Sequence, residues 1–178
     1  MIPYLSRKLT PWIIVCFIFV FGCAKGPGQL PQAHIPPAPK TQAELIEELP
    51  QNLPEIRQTI VSQAIENLGR PYQWGGQSPD PGFDCSGLVV YTHGRAGLRV
   101  PRTSRDQFSR GRPISKHALQ PGDLVFFSVP EKRTGFHVGI FLGRDQFIHA
   151  PGHGRRVCVS HLSDPYFRHR FRGARSYH

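Results

Sequence analysis

The chain is short of cysteine, of acid and of long apolar runs. Its four cysteines show no C-x-x-C pair, and no H-E-x-x-H stretch accompanies them. The tight ligand spacing of zinc sites is therefore missing. The longest apolar run, residues 12–21, is ten residues, too short to span a bilayer comfortably. No segment repeats, which excludes a solenoid or array, and no second binding module is visible. Twelve acidic residues face 22 basic ones, for a formal charge of +10. That balance suits an anionic polymer or lipid headgroups.

What is present begins with an export signal. Arg7 and Lys8 precede the apolar run Trp12 to Phe21, which ends at Gly22-Cys23-Ala24. A basic n-region followed by an h-region of this length predicts a secretory signal over residues 1–22. Cys23 then stands where a lipoprotein carries its lipid, and Ala24 rather than aspartate directs the chain to the outer membrane, facing the periplasm, in a Gram-negative cell. Without Arg7 and Lys8 the charge is about +8. Nucleic acid is not an expected partner of an exported chain.

Residues 23–51 read as the lipidated cysteine and a proline-rich tether, with a short helix between Thr41 and Leu49. The folded domain is placed at 52–178, opening with Asn52 as a helix cap and Glu55 three residues on. Ile56, Ile60, Val61, Ala64, Ile65 and Leu68 recur at helical spacing until Gly69 and Pro71 stop the run. A short helix opens at Thr103, with Asp106 three residues on, and runs through Phe108 to Gly111. Strands follow from Asp123 onward, and helices first with strands after is the α+β pattern. This length supports one core.

Within that domain one cysteine is singled out. Gly82-Phe83-Asp84-Cys85-Ser86-Gly87-Leu88-Val89 predicts a loop turning into a helix, with Asp84 as N-cap and Cys85 on the first turn. Unpaired backbone N–H groups and the positive end of the helix dipole favour a thiolate there. Gly87, without a Cβ, leaves room for a close approach to that turn. Leu88, Val89 and Thr92 form the inward stripe, and Gly94 and Gly97 end the helix.

Two histidines supply the rest. His137 and His149 lie in runs rich in strand formers, twelve residues apart, and read as a β-hairpin. An even separation puts them on one face only if the loop is odd in length or a bulge intervenes. A three-residue loop at Gly143-Arg144-Asp145 sets His149 opposite Gly139, with His137 a diagonal neighbour at about 7 Å. A Cys–His–His relay follows, with His137 as base and His149 orienting it. Cys85, His137, His149, His153, Cys158 and His161 are the alternative zinc ligands, though without metal-site spacing. No metal and no cofactor are expected. Cys158 is read as an inert strand thiol, with no disulfide to Cys85.

These residues resemble the NlpC/P60 family of cell-wall cysteine peptidases. The resemblance rests on Tyr72-Gln73-Trp74-Gly75-Gly76, Asp84-Cys85-Ser86-Gly87, Pro101-Arg102-Thr103-Ser104, Pro121 to Phe127, His137-Val138-Gly139-Ile140, Phe147-Ile148-His149-Ala150 and Arg170 to Arg175. Together they cover about residues 58–178. The resemblance implies a papain-like fold, N-terminal helices packed on an antiparallel sheet. It implies a catalytic Cys85, a base at His137, an orienting His149 and Tyr72 near the oxyanion, with Asp84, Ser86 and Arg102 touching substrate. The implied reaction is hydrolysis of the murein stem peptide, usually at the D-γ-glutamyl–diamino acid bond. Separately, a monomer held to the membrane through its N-terminal lipid is expected. A non-catalytic murein-binding lipoprotein is the alternative from another class.

Overall fold

The computed structural model describes residues 40–129 and 135–178. The signal at 1–22, the lipid site Cys23 and the tether up to residue 39 lie outside the described residues. A short helix α1, Gln42–Glu47, opens the described chain behind a full capping box. Thr41 Oγ1 accepts from the Glu44 amide while the Glu44 carboxylate accepts from the Thr41 amide. Leu45 is buried in the main core, so this helix belongs to the compact unit that runs from Pro39 to His178. The fold thus begins before residue 52.

Helix α2, Glu55–Glu66, buries Ile60, Val61, Ala64 and Ile65, as the helical spacing predicts. Its cap differs from expectation. Pro54 occupies the N-cap position, with no side-chain cap bond, and Asn52 is exposed in the preceding turn. Proline has its φ already set for a helix entry, so the helix starts where the proline is and not two residues earlier. A two-stranded hairpin, β1 (Gln77–Ser78) and β2 (Gly82–Phe83), then leads into helix α3, Cys85–Arg95. Helix α4, Ser104–Arg110, follows with Thr103 as its cap.

The remaining strands are β3 (Arg112–Ile114), β4 (Leu124–Ser128), β5 (Phe136–Gly143), β6 (Gln146–His149), β7 (Cys158–His161) and β8 (Phe171–Ser176), with helix α5 (Pro165–Arg170) before the last. They form one six-stranded sheet, order β3-β8-β4-β5-β6-β7, antiparallel at every pairing. The C-terminal strand therefore sits inside the sheet. Arg168 and Arg170 belong to α5, while Arg175 lies over the Phe108 ring at 3.7 Å from its centroid.

Alternation along the strands makes two cores. Phe126, Val138, Ile140 and Ile148 pack with Leu88, Val89 and the buried face of α2. Val125, Phe127 and Phe147 face the other way, against Phe167 of α5. This is an α+β fold with the helices α2 and α3 on one sheet face.

Candidate active site

The expected cap at the cysteine helix is present and does more than cap. The Asp84 carboxylate accepts from the Gly87 amide at 2.6 Å, from the Gly75 amide at 3.0 Å and from Ser86 Oγ at 3.1 Å. Arg102 forks onto both its oxygens, Nη1 at 3.0 Å and Nη2 at 2.7 Å, and Nη1 also reaches Ser86 Oγ at 3.0 Å. Burial raises the Asp84 carboxyl, but the Arg102 and Gly87 hydrogen bonds outweigh it and hold the group below its usual range. An ionised Asp84 beside Cys85 is thus paired with a cation.

The close approach that Gly87 permits is made by the protein itself. A Cβ at Gly87 would overlap the carbonyl oxygen of Gly76 and come within 3.1 Å of Asp84 Oδ1. That same carbonyl accepts from the Asp84 amide at 3.0 Å. The Gly75-Gly76 turn is therefore seated on the first turn of α3. Tyr72 is bridged to Phe83, two residues before Cys85. Its hydroxyl is pushed up first by burial and then by the charges of Cys85 and Asp84, so it remains a protonated donor at neutral pH. Its amide is tied to the Arg155 carbonyl at 2.9 Å.

The histidines meet as the hairpin predicts, by a different route. Ile140 pairs with Ile148 and Phe141 with Phe147, a register that carries His149 opposite Gly139. The turn, however, is the two-residue pair Arg144-Asp145, with φ of 47° and 71°, and the frame is restored by a bulge between Phe141 and Gly143. The expected three-residue loop is replaced because a two-residue turn with both φ positive matches the twist of the strands. Asp145 tolerates that backbone, and it anchors the turn by accepting from the amides of Leu162 and Ser163. His137 Nε2 and His149 Nδ1 come to 2.6 Å, with the rings edge-on at 83°. Burial pushes His149 well below its ordinary value, helped by the charges of His137 and Arg155, so it is neutral at pH 7.

Three residues with no motif to mark them complete the arrangement. Ser160 Oγ lies 3.0 Å from His149 Nε2, and Cys158 Sγ lies 3.6 Å from the same nitrogen. Cys158 lies on β7, and burial pushes its thiol up, in keeping with the inert strand thiol expected. Neither it nor Cys85 is in a disulfide. Gln107, fully buried, donates to the carbonyls of Ser86 and Pro101 at 3.1 and 2.8 Å. Register arithmetic applied to β7 was the one signal available for Ser160, since His149 pairs with Cys158 across the ladder.

A cleft of about 310 Å³ opens on the histidine side, lined in part by His137, His149, Arg155, Ser160, Asp164 and Phe167. The alternative zinc donors do not converge there. His161 faces Gln146 and His153 stands beside the Tyr72 ring, and among the described residues no group of three or more such side chains is placed to hold a metal ion.

Residues 69–176 match the model of the NlpC/P60 family. The chain belongs to that family. It is 38% identical over 118 residues to "Murein DD-endopeptidase MepH" of Escherichia coli, covering 65% of this chain and 44% of that protein. It is 38% identical over 115 residues to "Bifunctional muramidase/DL-endopeptidase CwlT" of Bacillus subtilis, covering 64% and 34%. The chain thus spans less than half the length of these two relatives. Among solved structures, an NlpC/P60 family protein from Bacillus cereus superposes with a TM-score of 0.63 at 34% identity, covering 68% of this chain and 40% of that one. The NlpC/P60 domain of the peptidoglycan hydrolase SagA superposes with a TM-score of 0.58 at 36% identity, covering 67% and 97%. The helices and antiparallel sheet of this NlpC/P60 domain are those the resemblance implies.

Proposed function

We propose that this NlpC/P60 chain is a cysteine endopeptidase of the murein stem peptide, cutting the bond between D-γ-glutamate and a diamino acid. The observation that carries the reading is the 2.6 Å pairing of His137 with His149, in a fold where Cys85 opens a helix capped by a cation-paired Asp84. The helix N-terminus favours an anionic sulfur at Cys85. The thiolate attacks the amide carbonyl, and the Cys85 amide with the Tyr72 hydroxyl holds the oxyanion. His137 protonates the leaving amine, and water releases the acyl-enzyme. His149, neutral by burial, turns the His137 ring without competing for charge.

The two sides of the scissile bond meet different chemistry. Asp84, Ser86, Arg102 and Tyr72 flank the acyl side. The cleft with Arg155 and Asp164 lies at the histidines and takes the leaving amino acid. Cys23 carries a lipid that holds the enzyme on the outer membrane, facing the periplasm where the host is Gram-negative, and the enzyme works as a monomer.

Mass spectrometry of muropeptides incubated with wild-type protein, Cys85→Ala and His137→Ala tests the assignment. Cleavage by wild type alone is expected, with the mass of the fragments naming the bond. Undiminished turnover by Cys85→Ala would refute the thiolate. Binding without cleavage by wild type and Cys85→Ala alike would make the chain a murein-binding lipoprotein instead. Radiolabelled palmitate should enter the wild-type chain and not Cys23→Ala.

A further inference from the structure

The second nitrogen of His149 is not idle. It points to a serine and a thiol that the Cys–His–His scheme leaves without a task. Between His137 Nε2 and His149 Nδ1, at 2.6 Å, there is room for one proton. If it belonged to His149, neutral His137 would carry its own proton on Nδ1, the nitrogen that must accept one from the nucleophile. If it belongs to His137, Nδ1 of His137 is the basic atom. Neutral His149 then holds its proton on Nε2. That second arrangement needs an acceptor at Nε2.

Ser160 Oγ, 3.0 Å away, is placed to accept it. Cys158 Sγ stands 3.6 Å from the same nitrogen, and burial keeps that thiol protonated. The strand register brings all three together. Cys158 pairs directly with His149, and Ser160, two residues on, projects from the same face. In that arrangement the direction runs from His137 Nε2–H to His149 Nδ1 and from His149 Nε2–H to Ser160 Oγ.

We propose that Ser160 is a positioning residue, which locks His149 in the Nε2–H tautomer and thereby reserves Nδ1 of His137 for the nucleophile. The inference rests on the peptidase reading for its consequence, but the proton order is measurable without substrate. In the full chain labelled with 15N-histidine, two-bond proton–nitrogen correlation spectra report the tautomer of each ring. His149 is expected as Nε2–H in wild type and as a mixture in Ser160→Ala. kcat on muropeptides should fall roughly 10- to 100-fold in Ser160→Ala with KM unchanged, as for other residues that orient a functional imidazole. Ser160→Thr, which keeps the hydroxyl, should restore both the tautomer and the rate. A wild-type His149 protonated on Nδ1 would overturn the inference, as would a Ser160→Ala variant with unaltered tautomer and kcat. A wild type that never cleaves would sink the peptidase reading, while the spectra would still decide the proton order.

Discussion

Two glycines of helix α3 are expected to respond to alanine in opposite directions. Gly94, near the end of the helix, is exposed, and a Cβ there meets nothing within 4 Å. Removing backbone freedom from the unfolded chain makes Gly94→Ala stabilising by about 0.5–1 kcal/mol. Gly87 would gain the same amount from propensity, but its Cβ would overlap the Gly76 carbonyl oxygen and stand 2.9 Å from that carbonyl's carbon. Ordinary contact begins near 3.4 Å. The obstacle is backbone, so no side chain can swing aside. Moving Gly76 breaks its bond from the Asp84 amide at 3.0 Å and drags Gly75, whose amide binds Asp84 at 3.0 Å. Overpacking of this kind costs about 1–3 kcal/mol, and the two hydrogen bonds add about 1 kcal/mol each. After the propensity gain, Gly87→Ala should be destabilised by roughly 2–4.5 kcal/mol. Urea unfolding followed by circular dichroism resolves the two variants, because their midpoints should move apart with unchanged slope. If Gly87→Ala proved as stabilising as Gly94→Ala, the Gly76 carbonyl would not be seated on the helix, and the account of how the cysteine turn is held would be wrong.

Asp123→Asn should cost about 3–5 kcal/mol in the same assay, because it strands Arg57, whose side chain is 9% exposed and bonds Asp123 Oδ1 at 3.2 Å. Acid should weaken the fold through His93, which burial holds at about 3. Its folded pKa lies below the unfolded 6.5, so the unfolded chain takes up protons first. Stability is full above pH 6.5 and is lost as pH falls toward 3, on the order of 3 kcal/mol by pH 4; His93→Leu should flatten the slope of urea midpoint against pH over that window. Arg102→Lys keeps the charge but loses the fork onto Asp84, so the unfolding midpoint should move by less than about 1 kcal/mol while kcat/KM on muropeptides falls at least tenfold. Gln107→Leu removes the amide that serves the Ser86 and Pro101 carbonyls, and should cost about 1–3 kcal/mol with a drop in kcat that exceeds any change in KM.

The parts of the site that were legible in the sequence are those set by local rules. The cap at Asp84, the inward stripe of α3 and the parity of the hairpin follow from periodicities of 3.6 and 2, and each is found at the expected residues. Residues that act across the fold left no such trace. Ser160 lies eleven positions from His149 on a separate strand, and Gln107 sits in a helix of seven residues with only that one side chain buried. Arg57 falls in the apolar stripe of α2, where a cation is read as solvent-facing until its partner Asp123 is located 66 residues on. The cap at Asn52 failed because a proline two residues later overrides a weaker side-chain preference. The length of the hairpin turn failed because a bulge and an odd loop satisfy the same parity.

The two halves of the site come from segments 52 residues apart, and α4 is what binds them. Ser104 Oγ at its start donates to the Phe136 carbonyl at 2.6 Å, while Gln107 one turn on donates to the Ser86 carbonyl at 3.1 Å. Phe136 precedes His137 and Ser86 follows Cys85, so each candidate group is one residue from an anchor on the same helix. The backbone positions of Ser86 and Phe136 are thereby tied to α4. Displacement of reacting groups by about 1 Å costs on the order of a hundredfold in rate. A seven-residue helix with a buried amide is therefore worth its place for geometry more than for stability. The same logic explains the position of the motif residues Pro101, Arg102, Thr103 and Ser104. Pro101 offers its carbonyl to Gln107, Arg102 clamps the cap of the cysteine helix, Thr103 caps α4, and Ser104 holds the histidine strand. Four consecutive residues thus connect the helix of Cys85 to the strand of His137, so an insertion among them should uncouple the two halves even where the fold survives.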